Sequence, residues 1–200
     1  MLQINEVEKM SFGTDYAQIL SKTLFIAMKK FMLVGIALLL MFITACGYGA
    51  GRDSINRSTV SSLDLKSIMG VWYEIARFDH RFERNMEYVT ATYIPLPDGT
   101  VEVQNRGVID GREHTSIGHA KPTDEPGRLR VSFFWKFYSD YNILAIAPDG
   151  EWMMVGSKSP KYLWILSRKP ALSEKTLHYI VSLTSQRGYD TNKLIYVKQR

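Results

Sequence analysis

Cysteine and histidine are the residue types in this chain that most readily do nucleophilic or metal chemistry. The sequence has one cysteine, Cys46, and four histidines. A single thiol can be modified but cannot form an intrachain disulfide bond. His114 and His119 fall on opposite faces of a strand, and neither they nor His80 and His178 pair with a second ligand at metal spacing. We therefore expect no metal and no cofactor.

Paired carboxylates can supply acid and base catalysis, and Glu74 and Glu83 are the pair that this sequence offers. Carboxylates that are exposed or packed within a fold are far commoner than catalytic ones. The chain has no nucleophile elbow, phosphate loop or dinucleotide fingerprint. We expect no catalytic residue and no enzyme. The net charge of +5 is mild and scattered, so nucleic acid is not an expected partner.

The surroundings of Cys46 indicate export and acylation. Two lysines at 29–30 precede an apolar run over 31–42, and small residues follow. These are the parts of a secretory signal peptide, and the run of roughly 15 residues is shorter than the ~20 of a spanning helix. The sequence Ile-Thr-Ala-Cys at 43–46 resembles the lipobox of bacterial lipoproteins, which implies cleavage before Cys46 and its acylation. An uncleaved signal anchor or a buried core helix is the alternative.

This interpretation divides the chain into four segments. Residues 1–27 are an upstream extension from a mispredicted start, with a long n-region of the signal peptide as the alternative, and residues 28–45 are the lipoprotein signal peptide. Residues 46–62, rich in Gly, Ser, Arg and Asn, are the acylated N-terminus and a flexible tether. Residues 63–200 form the domain. Gly47 in place of aspartate favours, by resemblance to proteobacterial lipoproteins, sorting to the outer membrane.

After residue 63, short runs rich in Val, Ile, Tyr, Phe and Trp alternate with turn signals such as Pro148-Asp149-Gly150. This pattern predicts an antiparallel all-β fold. Ser173 as an N-cap, apolar residues at helical spacing and Gly188 predict one amphipathic helix of about 13 residues. The predicted strands are 71–78, 87–94, 100–107, 114–121, 128–135, 141–147, 151–157, 162–167 and 193–198.

Three motifs resemble, in order and spacing, those of the lipocalin family. Gly70-Val71-Trp72, after a short helical stretch over 64–69, resembles the G-x-W element that opens the first strand. Ser139-Asp140-Tyr141 resembles the T-D-Y motif, with serine in place of threonine, and 163–168 resembles the third motif. The string 70–84 is similar to the outer-membrane lipoprotein branch, the bacterial lipocalins. The resemblance implies an eight-stranded antiparallel up-and-down lipocalin barrel with one C-terminal α-helix packed outside.

In such a barrel, Trp72 follows a glycine and can plug one end, while the guanidinium of Arg168 can stack on the Trp72 ring. We expect Gly70, Asp140 and Tyr141 to belong to the same closed end. The role of these five residues is then structural and not ligand binding.

The predicted cavity wall follows from the alternation of side chains along a strand, which places positions 129, 131, 133 and 135 on one apolar face. Leu144 and Met153 extend this wall from neighbouring strands, although the phase there is ambiguous because both faces are apolar. Lys136 and Tyr138 follow at the mouth and can meet an anionic head group. Barrel packing is the alternative role for the aromatic residues. The candidate ligand-binding residues are Leu129, Val131, Phe133, Trp135, Lys136, Tyr138, Leu144 and Met153.

The charged run from Arg77 to Arg84 falls, by the lipocalin resemblance, in the large loop after the first strand. We expect a solvated loop at the cavity mouth. The alternative is a lid that steers lipid phosphates.

Together these features predict an outer-membrane-anchored lipocalin on the periplasmic face that binds fatty acids or lysophospholipids for storage or transport. The expected partners are a lipid ligand and the outer membrane, through acylated Cys46, and a homodimer is compatible with the sequence. Two alternatives remain open. A structural envelope lipoprotein predicts a filled barrel, and a lipid-modifying enzyme predicts a polar pair that faces into the cavity.

Overall fold

The computed structural model of the protein describes residues 55–134 and 136–200. The predictions for Cys46, for the segments that end before residue 55 and for Trp135 lie outside the described residues.

Nine strands and one α-helix build the domain. Consecutive strands pair antiparallel, and β1 pairs with both β2 and β8, which closes an eight-stranded barrel. β9 pairs with the last residues of β1. The predicted barrel and its outer helix are therefore confirmed. The strands are β1 (Gly70–Phe78), β2 (Glu87–Pro95), β3 (Val101–Ile109), β4 (Arg112–Pro122), β5 (Arg128–Ser132), β6 (Ser139–Ile146), β7 (Trp152–Gly156), β8 (Leu163–Ser167) and β9 (Leu194–Tyr196), and the helix α1 is Glu174–Gln186.

Turn residues place the hairpins where the sequence predicts them. Gly99, Gly111, Gly127 and Gly150 all have positive φ angles, between 71° and 80°. Only glycine adopts this backbone region without a steric cost. Ser173 caps α1, since its hydroxyl accepts a hydrogen bond from the Thr176 backbone N–H.

The two ends of the barrel differ. At the end where β1 begins and β8 ends, here called the closed end, the 3-10 helix Leu65–Ile68 covers the interior and buries Ile68 in it. The opposite end, here called the mouth, is framed by the loops 79–86, 110–111, 133–134 with 136–138, and 157–162.

Buried apolar residues form two layers on opposite sides of the barrel wall. One layer fills the interior and includes Trp72, Leu129, Val131 and Met153. The other lies between the outer face of the wall and α1, and includes Ile180 of the helix. The wall thus separates a lumen from a helix-packing surface.

Leu144 belongs to the outer layer, so its predicted place in the cavity wall is wrong. The pairing of β6 with β7 shifts register between Ile143 and Ala145. Such a bulge inserts one residue and changes the face of the side chains that follow. Alternation along β6 from Tyr141 and Ile143, which pack inside, already places Leu144 outside. The bulge then places Ile146, and not Ala145, in the interior layer.

The structure also corrects the tether. Residues 55–62 make defined contacts with the barrel: the Asn56 N–H donates to the Arg187 carbonyl at 2.8 Å, and the Val60 N–H donates to the Ile143 carbonyl at 3.0 Å. Ile55 packs against the outer layer and Val60 against the interior layer. Val60 also packs against Gly127, where an added Cβ would lie 2.7 Å from its side chain. We call residues 55–62 the strap.

Within the described residues, no helix combines the length and the apolar character needed to cross a bilayer.

Candidate functional site

One wall of the barrel interior is apolar and comes from β5, β6 and β7. Leu129 and Val131 of β5 and Met153 and Val155 of β7 are all buried in the interior layer, together with Ile143 of β6. Three predicted cavity residues, Leu129, Val131 and Met153, thus lie on this wall.

Phe133 continues the apolar wall at the mouth, although β5 ends at Ser132. A Cβ added to Gly118 of β4 would lie 2.7 Å from the Phe133 ring. Because Gly118 has no side chain, the Phe133 ring has room to pack against β4 at this position. Lys136 is exposed in the loop that follows.

The side chains of Tyr138 and Asp140 face the outer surface of the barrel. Tyr138 belongs to a mouth loop but points away from the lumen: its ring lies under the Lys121 ammonium, 5.1 Å away, and its carbonyl accepts a hydrogen bond from Arg130. Asp140 forms an ion pair with Arg130 at 3.4 Å. The predicted place of Asp140 at the closed end is wrong, because β6 starts at the mouth and Asp140 is its second residue.

The wall opposite the apolar one carries buried charges. The β1 pairing with β8 shifts register between Glu74 and Ala76, and this bulge places both Glu74 and Arg77 on the interior face. Arg77 Nη1 donates to Glu74 Oε1 at 2.8 Å, and the two residues are only 2% and 3% exposed. Arg77 Nη2 also donates to the Glu83 backbone carbonyl.

Glu83 connects the mouth loop 79–86 to this charged wall. Its Oε2 atom accepts a hydrogen bond from Trp164 Nε1 at 3.1 Å and lies 3.0 Å from His80 Nε2. The His80 ring in turn packs against the rings of Trp164 and Tyr162, with centroids 5.3 and 5.7 Å apart. Glu74, Arg77, His80, Glu83 and Trp164 are here called the polar cluster.

The two carboxyls of the polar cluster differ in their pKa. Burial, and then the nearby Glu83 carboxylate, raise the pKa of Glu74 to about 8 against the opposing effect of Arg77. Burial also favours the neutral form of Glu83, but hydrogen bonds and charges from His80, Trp164 and Arg77 lower its pKa overall. Near neutral pH, Glu83 therefore carries the negative charge and Glu74 is mostly a neutral acid that still accepts the Arg77 hydrogen bond.

Three buried nitrogens of the polar cluster make no hydrogen bond among the described residues. They are Nε of Arg77 and both ring nitrogens of His80, although His80 Nε2 lies 3.0 Å from Glu83 Oε2. A buried N–H without a partner costs free energy. The Arg77 Nε, on the interior face of β1, is therefore available to an acceptor oxygen that enters the barrel.

Tyr141 is the residue of the second predicted motif that does face the interior. It lies near the mouth end of β6, and its hydroxyl meets the hydroxyl of Tyr93 on β2. These strands are four places apart in a barrel of eight, so the pair spans the lumen. The Tyr141 hydroxyl therefore crosses the interior to a residue that pairs with Gly70, the first residue of β1 at the closed end.

At the closed end, Arg168 stacks on Trp72 with the guanidinium carbon 3.7 Å from the ring centroid. Its Nη1 and Nη2 atoms donate to the carbonyls of Val71 and Ser67, each at 2.9 Å. Gly70 adopts a φ of +87°, and a Cβ there would lie 3.6 Å from Arg168 Nη1. Trp72 is fully buried, and its Nε1 donates to the Ile68 carbonyl.

Sequence reasoning named Glu74 and Glu83 as a pair but missed the burial of the cluster, because it treated 77–84 as a solvated loop. The structure buries Arg77, His80 and Glu83 instead. The available signal was the presence of Glu74 and Arg77 inside the otherwise apolar strand 70–78, three residues apart. Within the described residues, no group of three or more His, Cys, Asp or Glu side chains has the arrangement of a metal site.

Comparisons with known proteins agree with this geometry. The family model of the lipocalin-like domain matches residues 63–199. The outer membrane lipoprotein Blc of Citrobacter freundii is 42% identical over 146 residues, which cover 71% of this chain and 82% of that protein. The protein of the same name from Escherichia coli K12 is 38% identical over 176 residues, which cover 86% of this chain and 98% of that protein.

Among solved structures, insecticyanin from the tobacco hornworm Manduca sexta matches with a TM-score of 0.60 and 20% identity over 71% of this chain and 84% of that one. Lobster apocrustacyanin A1 matches with a TM-score of 0.58 and 18% identity over 68% and 80% of the two chains. At these identities the likeness concerns the fold alone. The barrel, the outer helix, the family match and these relatives together show that the chain belongs to the lipocalin family, in the branch of the bacterial outer membrane lipoproteins.

Proposed function

We propose that this protein binds a single-chain amphipathic lipid, a fatty acid or a lysophospholipid, inside the barrel. An eight-stranded barrel has an interior wide enough for side chains or for one small ligand. The observation that carries the proposal is the two-sided lining, with Leu129, Val131 and Met153 on one wall and the Glu74–Arg77 pair on the wall opposite.

Each wall fits one part of such a ligand. Burial of an acyl chain against the apolar wall contributes about 0.8 kcal/mol per CH₂ group. The unpartnered Arg77 Nε and the neutral Glu74 acid can donate to head-group oxygens, and a hydrogen bond to a charged group contributes roughly 1.5 to 3 kcal/mol. Since the chain contributes more, we expect selectivity for the head group to be loose.

We also propose that Cys46 is acylated and anchors the protein to the outer membrane. The support is the lipobox-like sequence at 43–46 and the relatives that carry the name outer membrane lipoprotein. In this arrangement the barrel works close to a bilayer that contains its ligand. Storage or transport of lipids in the envelope is the role that follows.

A filled barrel in a structural envelope lipoprotein is the second candidate. The contact between Tyr93 and Tyr141 favours it, because the pair occupies part of the lumen. Phenylalanine substitutions can separate the two functions. Val131→Phe adds bulk to the interior wall, and Val71→Phe adds the same bulk to an outward-facing position that is 46% exposed.

The experiment measures fatty-acid binding by tryptophan fluorescence and by native mass spectrometry on a form that begins at residue 47 and so lacks the apolar run 31–42 and Cys46. We expect bound lipid in the parent protein, a loss of affinity of about tenfold or more, equal to 1.4 kcal/mol, in Val131→Phe, and no change in Val71→Phe. A parent protein that neither carries nor binds lipid contradicts the proposal and supports the filled barrel. Equal affinity in all three proteins places the ligand outside the lumen.

A further inference from the structure

Exposed aromatic rings surround the mouth. Phe134 and Phe137 of one mouth loop are 73% and 69% exposed and stack with centroids 6.2 Å apart. Phe82 of another mouth loop is 64% exposed and carries the Arg81 guanidinium over its ring, 4.8 Å from the centroid. Large apolar side chains exposed together at one end of a domain are typical of an interaction site.

The charges of the two ends have opposite signs. Among the described residues, the mouth loops expose five basic side chains and two acidic ones, and one of the acids, Asp79, is paired with Arg84. The loops of the closed end expose five acidic side chains and two basic ones. The basic residues at the mouth are Arg81, Arg84, Lys136, Lys158 and Lys161, and the acidic residues at the closed end are Asp64, Asp98, Asp124, Glu125 and Asp149.

The strap leads the chain from the closed end to the mouth. Val60 lies beside Gly127 in a hairpin of the closed end, while Arg57 donates a hydrogen bond to the Lys158 carbonyl in a mouth loop. Arg187 at the end of α1 fixes this course, because its Nη1 atom donates to the carbonyls of Asn56 and Ser58 at 3.2 and 3.0 Å. The chain therefore leaves the described barrel near the mouth.

From these three observations we infer that the mouth is a docking surface for the bilayer, with the aromatic rings in the lipid interface and the closed end turned away. Ile55 lies nine residues after Cys46, and nine extended residues span at most about 30 Å. A bilayer with anionic lipids matches both the aromatic rings and the basic charge. The inference rests on the proposed acylation of Cys46, and it gives the ligand a direct path between membrane and lumen.

Lysine acetylation in vesicles tests this orientation with the lysines of the protein itself. The acylated protein is reconstituted on the outside of vesicles of phosphatidylethanolamine and phosphatidylglycerol, and its labelling is compared with that of the form that begins at residue 47. We expect labelling of Lys136, Lys158 and Lys161 to fall several-fold in vesicles. Lys66 and Lys169, exposed at the closed end, should be labelled equally in both samples.

The same digests report the mass of the Cys46 peptide, which separates the anchor from the orientation. An unmodified Cys46 contradicts the anchor and, with it, the inference. An acylated Cys46 with unprotected mouth lysines, or with protected closed-end lysines, overturns the orientation and leaves the anchor and lipid binding in the lumen intact.

A second variant tests the aromatic rings separately from the tether. In the acylated protein with Phe82→Ser and Phe134→Ser, we expect the labelling of Lys136 to return to its value in the form that begins at residue 47. The control is Tyr179→Ser, which removes a 59% exposed ring from α1 and should keep Lys136 protected. Protection that survives the loss of both phenylalanines shows that the rings do not dock, and it overturns the inference.

Discussion

The hydroxyl groups of Tyr93 and Tyr141 meet inside the barrel, although the two residues belong to strands on opposite sides of it. Their rings are arranged edge to face with centroids 6.4 Å apart. Burial raises the pKa of both phenols well above the usual value, so both remain neutral hydrogen-bonding groups at every physiological pH. The pair joins two walls of the lumen that are not neighbours in the sheet.

Removal of one hydroxyl should therefore weaken the barrel. Tyr141→Phe leaves the Tyr93 hydroxyl buried without its partner, and we expect the free energy of unfolding to fall by about 1 to 2 kcal/mol. Urea unfolding followed by tryptophan fluorescence measures this change. Tyr138→Phe, on the outer surface, is the matched control and should change the stability by less than about 0.5 kcal/mol. Equal stability of the two variants would show that the contact across the lumen contributes nothing.

Arg168→Ala tests the structural role of the closed end. The substitution removes the stacking on Trp72 and two hydrogen bonds to backbone carbonyls. We expect a loss of roughly 2 kcal/mol in stability and a lower Tm, with little change in fatty-acid affinity, because the walls proposed to bind lipid lie elsewhere. Lys169→Ala, which removes only an exposed ion pair with Glu151, is the control. An unchanged Tm together with abolished binding would assign Arg168 to the ligand site instead.

The features that local sequence decides were predicted well. Glycine turns set the hairpins, and a serine cap with apolar residues at helical spacing set α1, because each depends on a few neighbouring residues. The faces of β1 and β6 were not predictable in the same way. A bulge in either strand shifts the alternation of inward-facing and outward-facing side chains by one residue. The residues at the two bulges, Ile75 and Leu144, are of types that also occur in regular strands, so the sequence does not reveal the bulges.

The polar cluster escaped prediction for a related reason. Glu83 is separated from Trp164 by 81 residues, and its burial depends on how the mouth loop folds over the lumen. A run of charged residues in a loop is usually exposed to solvent. Only the contact between Glu83 and Trp164, which the sequence does not reveal, shows that this run is partly buried. The course of the strap likewise depends on Arg187, which lies more than 120 residues later in the chain.

Glu83→Gln should release the mouth loop from the barrel. The neutral amide keeps the size of the side chain but removes the carboxylate that accepts a hydrogen bond from Trp164 and lies beside His80. We expect faster amide hydrogen exchange over residues 79–86 and a loss of stability of roughly 1 to 3 kcal/mol, as is typical when a buried hydrogen bond to a charged group is lost. The control is Glu87→Gln, which breaks an exposed pair with Lys198. Unchanged exchange over 79–86 would show that Glu83 does not hold the loop.

Glu74 should make the stability of the barrel depend on pH. Its pKa is raised from 4.5 to about 8 in the folded protein. Between these pH values the folded chain holds a proton that the unfolded chain has released, so the free energy of unfolding falls as the pH rises, by at most about 1.4 kcal/mol per pH unit. The lowered pKa of Glu83 has the opposite effect on the pH dependence of stability. The stability that Glu83 contributes is lost only as the pH falls below the ordinary pKa of a glutamate.

Glu74→Gln separates these two effects, because it mimics the neutral acid and leaves Glu83 in place. We expect the variant to lose the decline in stability between pH 5 and pH 8 and to be more stable than the parent at pH 8, as measured by urea unfolding at a series of pH values. Glu113→Gln, on an exposed position of β4, should keep the decline of the parent. A parallel decline in the Glu74 variant would show that Glu74 is already ionised in the folded barrel, and that the Arg77 charge outweighs the cost of burial.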